Sequence, residues 1–131
     1  MNLTSGKDYL TDLVPDADEL IRHYTILLEL YAEVETVSQA LIKAIEDSSS
    51  SMIIKEKLTE KMALADRITK EAKIIAAMKK ILLERESFTE DDRLKVRKSE
   101  QLLTVSVGRI IEQENKCRDI VMQVGIKVSK R

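Results

Sequence analysis

The sequence has few of the residues that interrupt helices. Its 131 residues include three Gly, one Pro and no Trp, and aromatic residues make up only 3% of the chain. Scarce turn formers beside abundant Leu, Ile, Ala, Glu and Lys favour helix, and no segment alternates in the way a half-exposed strand would. The composition therefore predicts an all-α fold, and the length predicts one domain with its own core.

Residues with reactive side chains are equally rare. Cys117 is the one cysteine, so no disulfide can form within the chain, which is typical of a reducing compartment. His23 is the one histidine, whereas a helical di-iron site would need two Glu-x-x-His pairs. The residues after His23 also do not resemble the His-x-Leu-Lys-Gly of phosphotransfer domains, so a place beside the apolar seam is expected for it. We expect no catalytic residue, no metal site and no cofactor.

Charge of one sign and long apolar runs are also missing. The net charge is −1 although 34% of the residues are charged, so nothing draws the chain as a whole to nucleic acid. No apolar run approaches about 18 residues, and residues 1–16 contain no apolar leader. We expect a soluble cytoplasmic protein that neither binds nucleic acid nor enters a membrane.

Apolar residues recur at steps of three and four along three long segments, which predicts three helices over about 16–46, 52–86 and 90–124. In the first helix the inward residues are predicted to be Leu20, Tyr24, Leu27, Tyr31, Val34, Val37, Leu41 and Ile45. In the second they are Ile54, Leu58, Met62, Ala65, Ile68, Ala72, Ile75, Met78 and Leu82. In the third they are Val96, Leu103, Val107, Ile110, Cys117, Val121 and Val124.

Helix ends and connections follow from local signals. Asp16 and Thr89 are predicted N-caps, and Gly125 is a predicted C-cap before a short basic tail. The connections are short, so the expected fold is an elongated antiparallel bundle of three helices, with dimerisation left open. Residues 16–131 form this domain, and residues 1–15 are expected to be partly ordered. Gly108 lies inside the third helix, where a tight helix crossing or a hinge is expected.

The second helix carries more apolar surface than one seam needs. In the stretch AKIIAAMKKILL, residues 72–83, apolar side chains cover an arc of roughly 220° on a helical wheel, against about 100° for an ordinary amphipathic helix. Contact with two neighbouring helices explains this excess as well as contact with a partner does, either a second copy of the chain or an amphipathic helix in a groove. Ile74 and Ile81 mark one edge of the arc and Ala76 and Leu83 the other, and an exposed edge would indicate where a partner binds.

Two stretches carry a resemblance to a known family. KEKLTEKMALADRITKEAKIIAAM resembles the middle helix, and RIIEQENKCRDIV the last helix, of the FlgN/FliT-type flagellar export chaperones. The resemblance implies a binding protein without enzymatic activity. Such chaperones hold the amphipathic C-terminal segment of a hook-associated or filament-cap subunit and keep it soluble until secretion.

Adjacent apolar pairs at 102/103, 110/111 and 120/121 exceed what one seam of the third helix requires. We therefore expect the partner's amphipathic helix to contact Leu103, Val107, Ile110, Ile111, Ile120, Val121 and Val124. The alternative is a non-enzymatic adaptor or coiled coil in which a second copy of the chain covers the surplus apolar surface.

Overall fold

A computed structural model describes residues 16–129, with side chains described for 16–123, as three long helices. Helix α1 is Ala17–Glu46, α2 is Ser51–Leu83 and α3 is Glu90–Ser129. With no strand in this range, the all-α bundle is confirmed. Because α3 continues to Ser129, the prediction that it ends at Gly125 is wrong. The expectation for residues 1–15 lies outside the described residues.

Side-chain caps fix all three helix starts. The Asp16 carboxylate accepts a hydrogen bond from the Glu19 amide at 2.8 Å. Ahead of α2, the Ser50 hydroxyl accepts a hydrogen bond from the Ile53 amide at 3.4 Å. Ahead of α3, the Thr89 hydroxyl accepts from the Asp92 amide and the Asp92 carboxylate accepts from the Thr89 amide, both at 3.1 Å. This reciprocal pair satisfies two amides that have no partner inside the helix. Both predicted N-caps are confirmed.

The turn between α1 and α2 depends on a serine in a left-handed conformation. Ser48 has a φ of 54°. Its amide donates to the Ile45 carbonyl at 3.1 Å, and the Ser49 amide donates to the Ala44 carbonyl at 2.8 Å. This is the Schellman arrangement, in which glycine is the usual residue. The chain therefore reverses direction within the run of serines, as the sequence indicates.

Helix α1 packs closely against both other helices, but these two do not pack closely against each other. In the described range, no Cα atom of α2 comes within 8 Å of a Cα atom of α3. From the Leu20 end of α1 to the Leu41 end, the contacting residues of α2 run backward from Leu82 to Ile54, and those of α3 run forward from Val96 to Cys117. Helix α2 is therefore antiparallel to α1, and α3 is parallel to it. The three helices thus lie like three members of a four-helix bundle. We call the open space between α2 and α3, on the side away from α1, the trough.

Three apolar clusters along α1 form the core. The first joins Leu20, Tyr24 and Leu27 of α1 to residues of both other helices, including Ile75, Leu82 and Val96. The second is built on Leu30, Val34 and Leu64, and the third on Leu41, Ile42 and Cys117. All eight predicted inward residues of α1 are buried or half-buried. Helix α1 is therefore the central element of the bundle.

The inward face of α2 differs from the prediction. Leu58, Met62, Ala65 and Ala72 were predicted to lie inward but are exposed, Met62 by 73%. Leu64 is buried instead. The helix has two apolar stripes, and its inward turns also carry the polar residues Lys61 and Glu71, which find partners on α3 and α1. Periodicity alone does not show which stripe a neighbouring helix covers.

Two expectations for α3 are also wrong. Val121 was predicted to lie on the inward seam but is 49% exposed, and Ile120 packs against the third cluster in its place. Of the two roles expected for Gly108, the tight crossing is wrong, because a Cβ atom added there would meet no atom within 4 Å, and the hinge stays a prediction. The glycine therefore faces open space and no close approach of another helix requires it.

Candidate partner-binding surface

Two ion pairs connect α2 to α3 at the base of the trough. The Lys61 ammonium lies 2.6 Å from a Glu114 carboxylate oxygen. The Lys79 ammonium lies 3.2 Å from the carboxylate of Glu100. Long side chains make both contacts, which explains how the helices touch although their backbones stay apart. The pairs lie 18 residues apart on α2, so the base of the trough is about 27 Å long at 1.5 Å per residue.

One ion pair also contacts α1, and the other lies near it. The Ser38 hydroxyl, fully buried, donates to Glu114 at 3.2 Å. Tyr24 is buried near Glu100, and burial, with a smaller contribution from the charge of Glu100, raises the pKa of its phenol to about 12. The carboxylate of Glu114 is therefore held between α1 and α2, and that of Glu100 is paired with α2 near α1. Neither is available as an independent acid on the surface of the trough.

A pocket of about 320 Å³ lies at the end of the trough next to the α2–α3 connection. Leu83, Phe88 and Val96 supply its apolar lining, and Lys79, Arg93, Arg97 and Glu100 its charged lining. The Arg93 guanidinium carbon lies 5.5 Å from the centre of the Phe88 ring, a cation–π contact. The pocket can thus receive an apolar side chain beside an anionic group.

Apolar side chains line both walls of the trough. On a helical wheel of about 100° per residue, one stripe of α2 lies next to Lys61 and Lys79 and away from the α1-facing residues. It contains Leu58, Met62, Ala65, Ala72, Ala76 and Leu83. The corresponding stripe of α3, next to Glu100 and Glu114, contains Val107, Ile111 and Met122, of which the last two are 55% and 58% exposed. The trough is therefore a concave apolar surface with polar bridges at its base.

The structure divides the predicted partner-binding residues between two environments. Leu103, Ile110 and Ile120 are half-buried and pack against the three core clusters. Val107 is half-buried, and Ile111 and Val121 are exposed. The side chain of Val124 lies outside the described residues. Partner binding by these seven residues stays a prediction. Of the six with described side chains, Val107, Ile111 and Val121 are the ones that a partner could reach without displacing a core contact.

The trough includes residues of α2 that sequence reasoning did not assign to the binding surface. Sequence periodicity predicts Leu58 and Met62 to lie in the core, and it assigns Met122 neither to the core nor to the binding surface. The sequence feature that could have revealed these residues is the wide apolar arc of α2, because only one part of that arc can face α1. Both edges of that arc are exposed, since Ile74, Ile81 and Leu83 each keep more than two-fifths of their surface accessible. The Leu83 edge borders the trough.

A second groove lies between α1 and α2 on the opposite side. It encloses about 530 Å³ and is lined by Ala32, Glu33, Thr36, Val37, Glu60, Ala63, Leu64 and Arg67. Glu33 and Arg67 face each other across it at 3.8 Å, and both side chains are more than half exposed. Apart from Val37 and Leu64, its lining is made of small, polar or charged residues, and the exposed Ile74 and Ile81 lie farther along the same side of α2. We regard it as a secondary surface.

The two residues with reactive side chains, Cys117 and His23, both lie at contacts between helices. Cys117 is buried, and burial raises the pKa of its thiol; Lys61 acts in the opposite direction and Glu114 in the same one. A neutral thiol is a poor nucleophile. His23 contacts Glu71 across the α1–α2 interface, beside the seam as expected. No group of three or more His, Cys, Asp and Glu in the described part of the chain is placed to hold a metal ion.

Between residues 16 and 129, no helix combines the length and apolarity needed to cross a membrane. No protein-family model matches the chain, and no curated protein or solved structure gives a significant match. A function for this bundle has to be inferred from the trough and the side chains around it.

Proposed function

We propose that the protein is a non-enzymatic cytoplasmic export chaperone of the FlgN/FliT type. In this proposal it binds the amphipathic C-terminal segment of a flagellar hook-associated or cap subunit and keeps that segment soluble until secretion. One observation carries the proposal: large apolar side chains remain exposed on both walls of the trough, at Met62, Leu83, Ile111 and Met122. An amphipathic helix lying there would complete a four-helix arrangement.

The energetics suit a binding event that can be reversed. Covering a half-exposed Leu, Ile or Met side chain contributes about 1 kcal/mol, so the five such side chains of the trough contribute about 5 kcal/mol, and the apolar side chains of the segment that cover them contribute about as much again. Ordering a disordered segment opposes binding by about 2–5 kcal/mol. The balance favours moderate affinity, which a chaperone needs because its cargo must be released to the export machinery.

A titration of defined cargo segments tests the proposal. The probes are C-terminal segments of the hook-associated and cap subunits encoded in the same genome, added to the full chain in a calorimeter. We expect one segment to bind, and the double variant Ile111→Asp, Val121→Asp to bind it at least tenfold more weakly while it keeps the wild-type helix content. The matched control, Leu102→Asp with Val105→Asp, changes exposed residues on another side of α3 and should bind normally.

A permanent homodimer is the competing explanation for the same exposed side chains. Solution mass at micromolar concentration distinguishes the two. A monomer that becomes more heat-stable with the cargo segment agrees with the chaperone. A dimer that binds none of the segments contradicts it and supports the self-assembling bundle.

A further inference from the structure

The rim of the trough is basic. On the helical wheel, six basic side chains lie beside its apolar stripes, all of them exposed: Lys55, Lys73, Lys80, Arg93, Arg97 and Arg118. The acidic side chains at its base, Glu100 and Glu114, are each paired with a lysine. Asp66, Glu90 and Asp119 lie farther out; Asp66 pairs with Lys70 at 3.1 Å, and Glu90 pairs with the rim residue Arg93 at 3.8 Å.

This concentration of positive charge does not follow from the overall composition. The whole chain has a net charge of −1, and residues 16–46, which include all of α1, carry seven acidic side chains against Arg22 and Lys43. Acidic residues thus collect on α1, on the far side of the molecule from the trough. Among the described residues, Lys73, Lys80 and Arg97 have no acidic side chain within 4.0 Å, which leaves their charge for a partner.

The same charge disfavours a second copy of the chain as the occupant. A symmetric dimer through the trough would place one basic rim against the other, because a two-fold interface pairs a patch with itself. The acidic helix α1 of another copy is not a substitute, since its apolar face is already buried in its own core. The occupant must therefore bring both apolar residues and negative charge.

We infer that the trough binds an amphipathic helix whose apolar stripe is flanked by Glu or Asp residues. The apolar stripe contacts the walls at Met62 and Ile111, and the flanking carboxylates face Lys73, Lys80, Arg97 and Arg118. A carboxylate near the end of that helix enters the pocket beside Arg93 and Arg97, with an apolar side chain against Phe88 and Val96. This inference rests on the proposed function and adds the charge that the cargo must carry.

Apolar walls distinguish this surface from one that binds nucleic acid. Nucleic-acid grooves combine basic residues with aromatic platforms for the bases, and the one aromatic residue in the lining of the pocket, Phe88, is already covered by Arg93. The exposed Met62 and Met122 would face a phosphate backbone unfavourably. A peptide helix uses both the apolar and the charged parts of the surface.

Three synthetic peptides of about 18 residues test the inference, because a helix of that length matches the base of the trough. They share one apolar stripe and differ only in flanking residues, which are Glu, Gln or Lys. Binding to the full chain is measured by fluorescence anisotropy at low and at high salt. We expect the Glu peptide to bind about tenfold more tightly than the Gln peptide at low salt, and the Lys peptide to bind most weakly. High salt should reduce these differences.

Matched variants locate the charge effect. Arg97→Gln with Arg118→Gln removes two charges from the rim, and Lys98→Gln with Lys116→Gln removes two exposed charges from another side of α3. The rim variant should lose about three- to tenfold of its preference for the Glu peptide over the Lys peptide, and the control variant should keep that preference.

The outcomes that contradict the inference can be told apart from failure of the proposed function. Equal affinity for all three peptides, still weakened by Ile111→Asp, refutes the charge requirement and leaves the chaperone proposal intact. Absence of binding by every peptide contradicts both. A single-stranded oligonucleotide that displaces the Glu peptide at equal concentration would identify the trough as a nucleic-acid surface and overturn the inference.

Discussion

The ion pair between Lys61 and Glu114 gives the most informative test of how α2 and α3 are held together. Its nitrogen and oxygen atoms lie 2.6 Å apart, and the side chains are 13% and 43% exposed. Replacing Lys61 with Met leaves the Glu114 carboxylate without its partner, at a cost of about 1–2 kcal/mol, because Glu114 still reaches water. Replacing Glu114 with Leu leaves the Lys61 ammonium, the less accessible of the two charges, without a partner. It also removes the acceptor of the Ser38 hydroxyl, and the two losses together cost about 2–3 kcal/mol.

The double variant Lys61→Met, Glu114→Leu should be much more stable than the sum of the single variants predicts. It replaces both charges with apolar groups of similar volume, so neither charge is left uncompensated. The Ser38 hydroxyl still loses its acceptor, so the free energy of unfolding should lie about 1–2 kcal/mol below wild type. The coupling energy from the cycle should therefore be about 2 kcal/mol or more. Urea unfolding followed by circular dichroism at 222 nm measures it, and an unchanged m-value shows that the unfolding transition is comparable.

The pair Glu33–Arg67 provides the control. It joins α1 to α2 at 3.8 Å with both side chains more than half exposed, so its coupling should stay below about 0.5 kcal/mol. Additive effects of Lys61→Met and Glu114→Leu would refute the reasoning. They would mean that this ion pair does not hold α2 and α3 at the base of the trough.

Three other substitutions have definite expected effects. Burial raises the pKa of Tyr24 from 10.0 to about 12, so the neutral phenol favours the folded state below pH 10 and this stability is lost as the pH rises toward 12. In thermal melts from pH 8 to 12, Tyr24→Phe should therefore lose less stability than wild type, and parallel curves would contradict the cause given. Gly108→Ala should raise the free energy of unfolding by about 0.5–1 kcal/mol in urea titrations, because the added methyl meets no atom and alanine favours helix; a loss of stability would mean that the glycine is needed. Ser48→Gly should add about 1 kcal/mol by the same assay, because glycine adopts the φ of 54° without strain, and an unchanged midpoint would show that the serine is not strained there.

The sequence was sufficient to predict the helices because their signals are local. Asp16 and Thr89 cap the amides of their own helices, and the run of serines from Ser48 to Ser51 separates two long periodic segments. Glycine was a weaker guide, since α3 continues through Gly125. A glycine ends a helix only where the chain turns left-handed, and here the residue that does so, between α1 and α2, is Ser48.

The inward face of α1 was predictable and that of α2 was not. Helix α1 has neighbours on two sides, so packing buries most of its wide apolar arc, for example at Leu20, Leu30 and Leu41. Of the two other described helices, α2 packs closely against α1 only, and it carries two stripes, one with Leu64 and Ile75 and one with Leu58 and Met62. Choosing between them requires knowing that Lys61 and Glu71 pair with residues far away in the sequence, which periodicity does not encode.

The candidate site was only partly predictable for the same reason. Adjacent apolar pairs such as Ile110 and Ile111 indicate that α3 has two apolar faces. The structure agrees, because Ile110 packs against the core and Ile111 is exposed. The trough itself depends on the spacing between α2 and α3, a tertiary feature set by long side chains that bridge the two helices. No short motif in the sequence reports that spacing.

Photo-crosslinking gives the most direct test of the central claim that the trough is the binding surface. A Glu-flanked amphipathic peptide carries one benzoylphenylalanine in the middle of its apolar stripe, and the crosslinked residues of the full chain are identified by mass spectrometry. Crosslinks should appear at trough residues such as Met62, Ala65 and Ile111. Crosslinks concentrated at Ala32, Thr36 and Ala63 instead would place the peptide in the groove between α1 and α2 and contradict the claim.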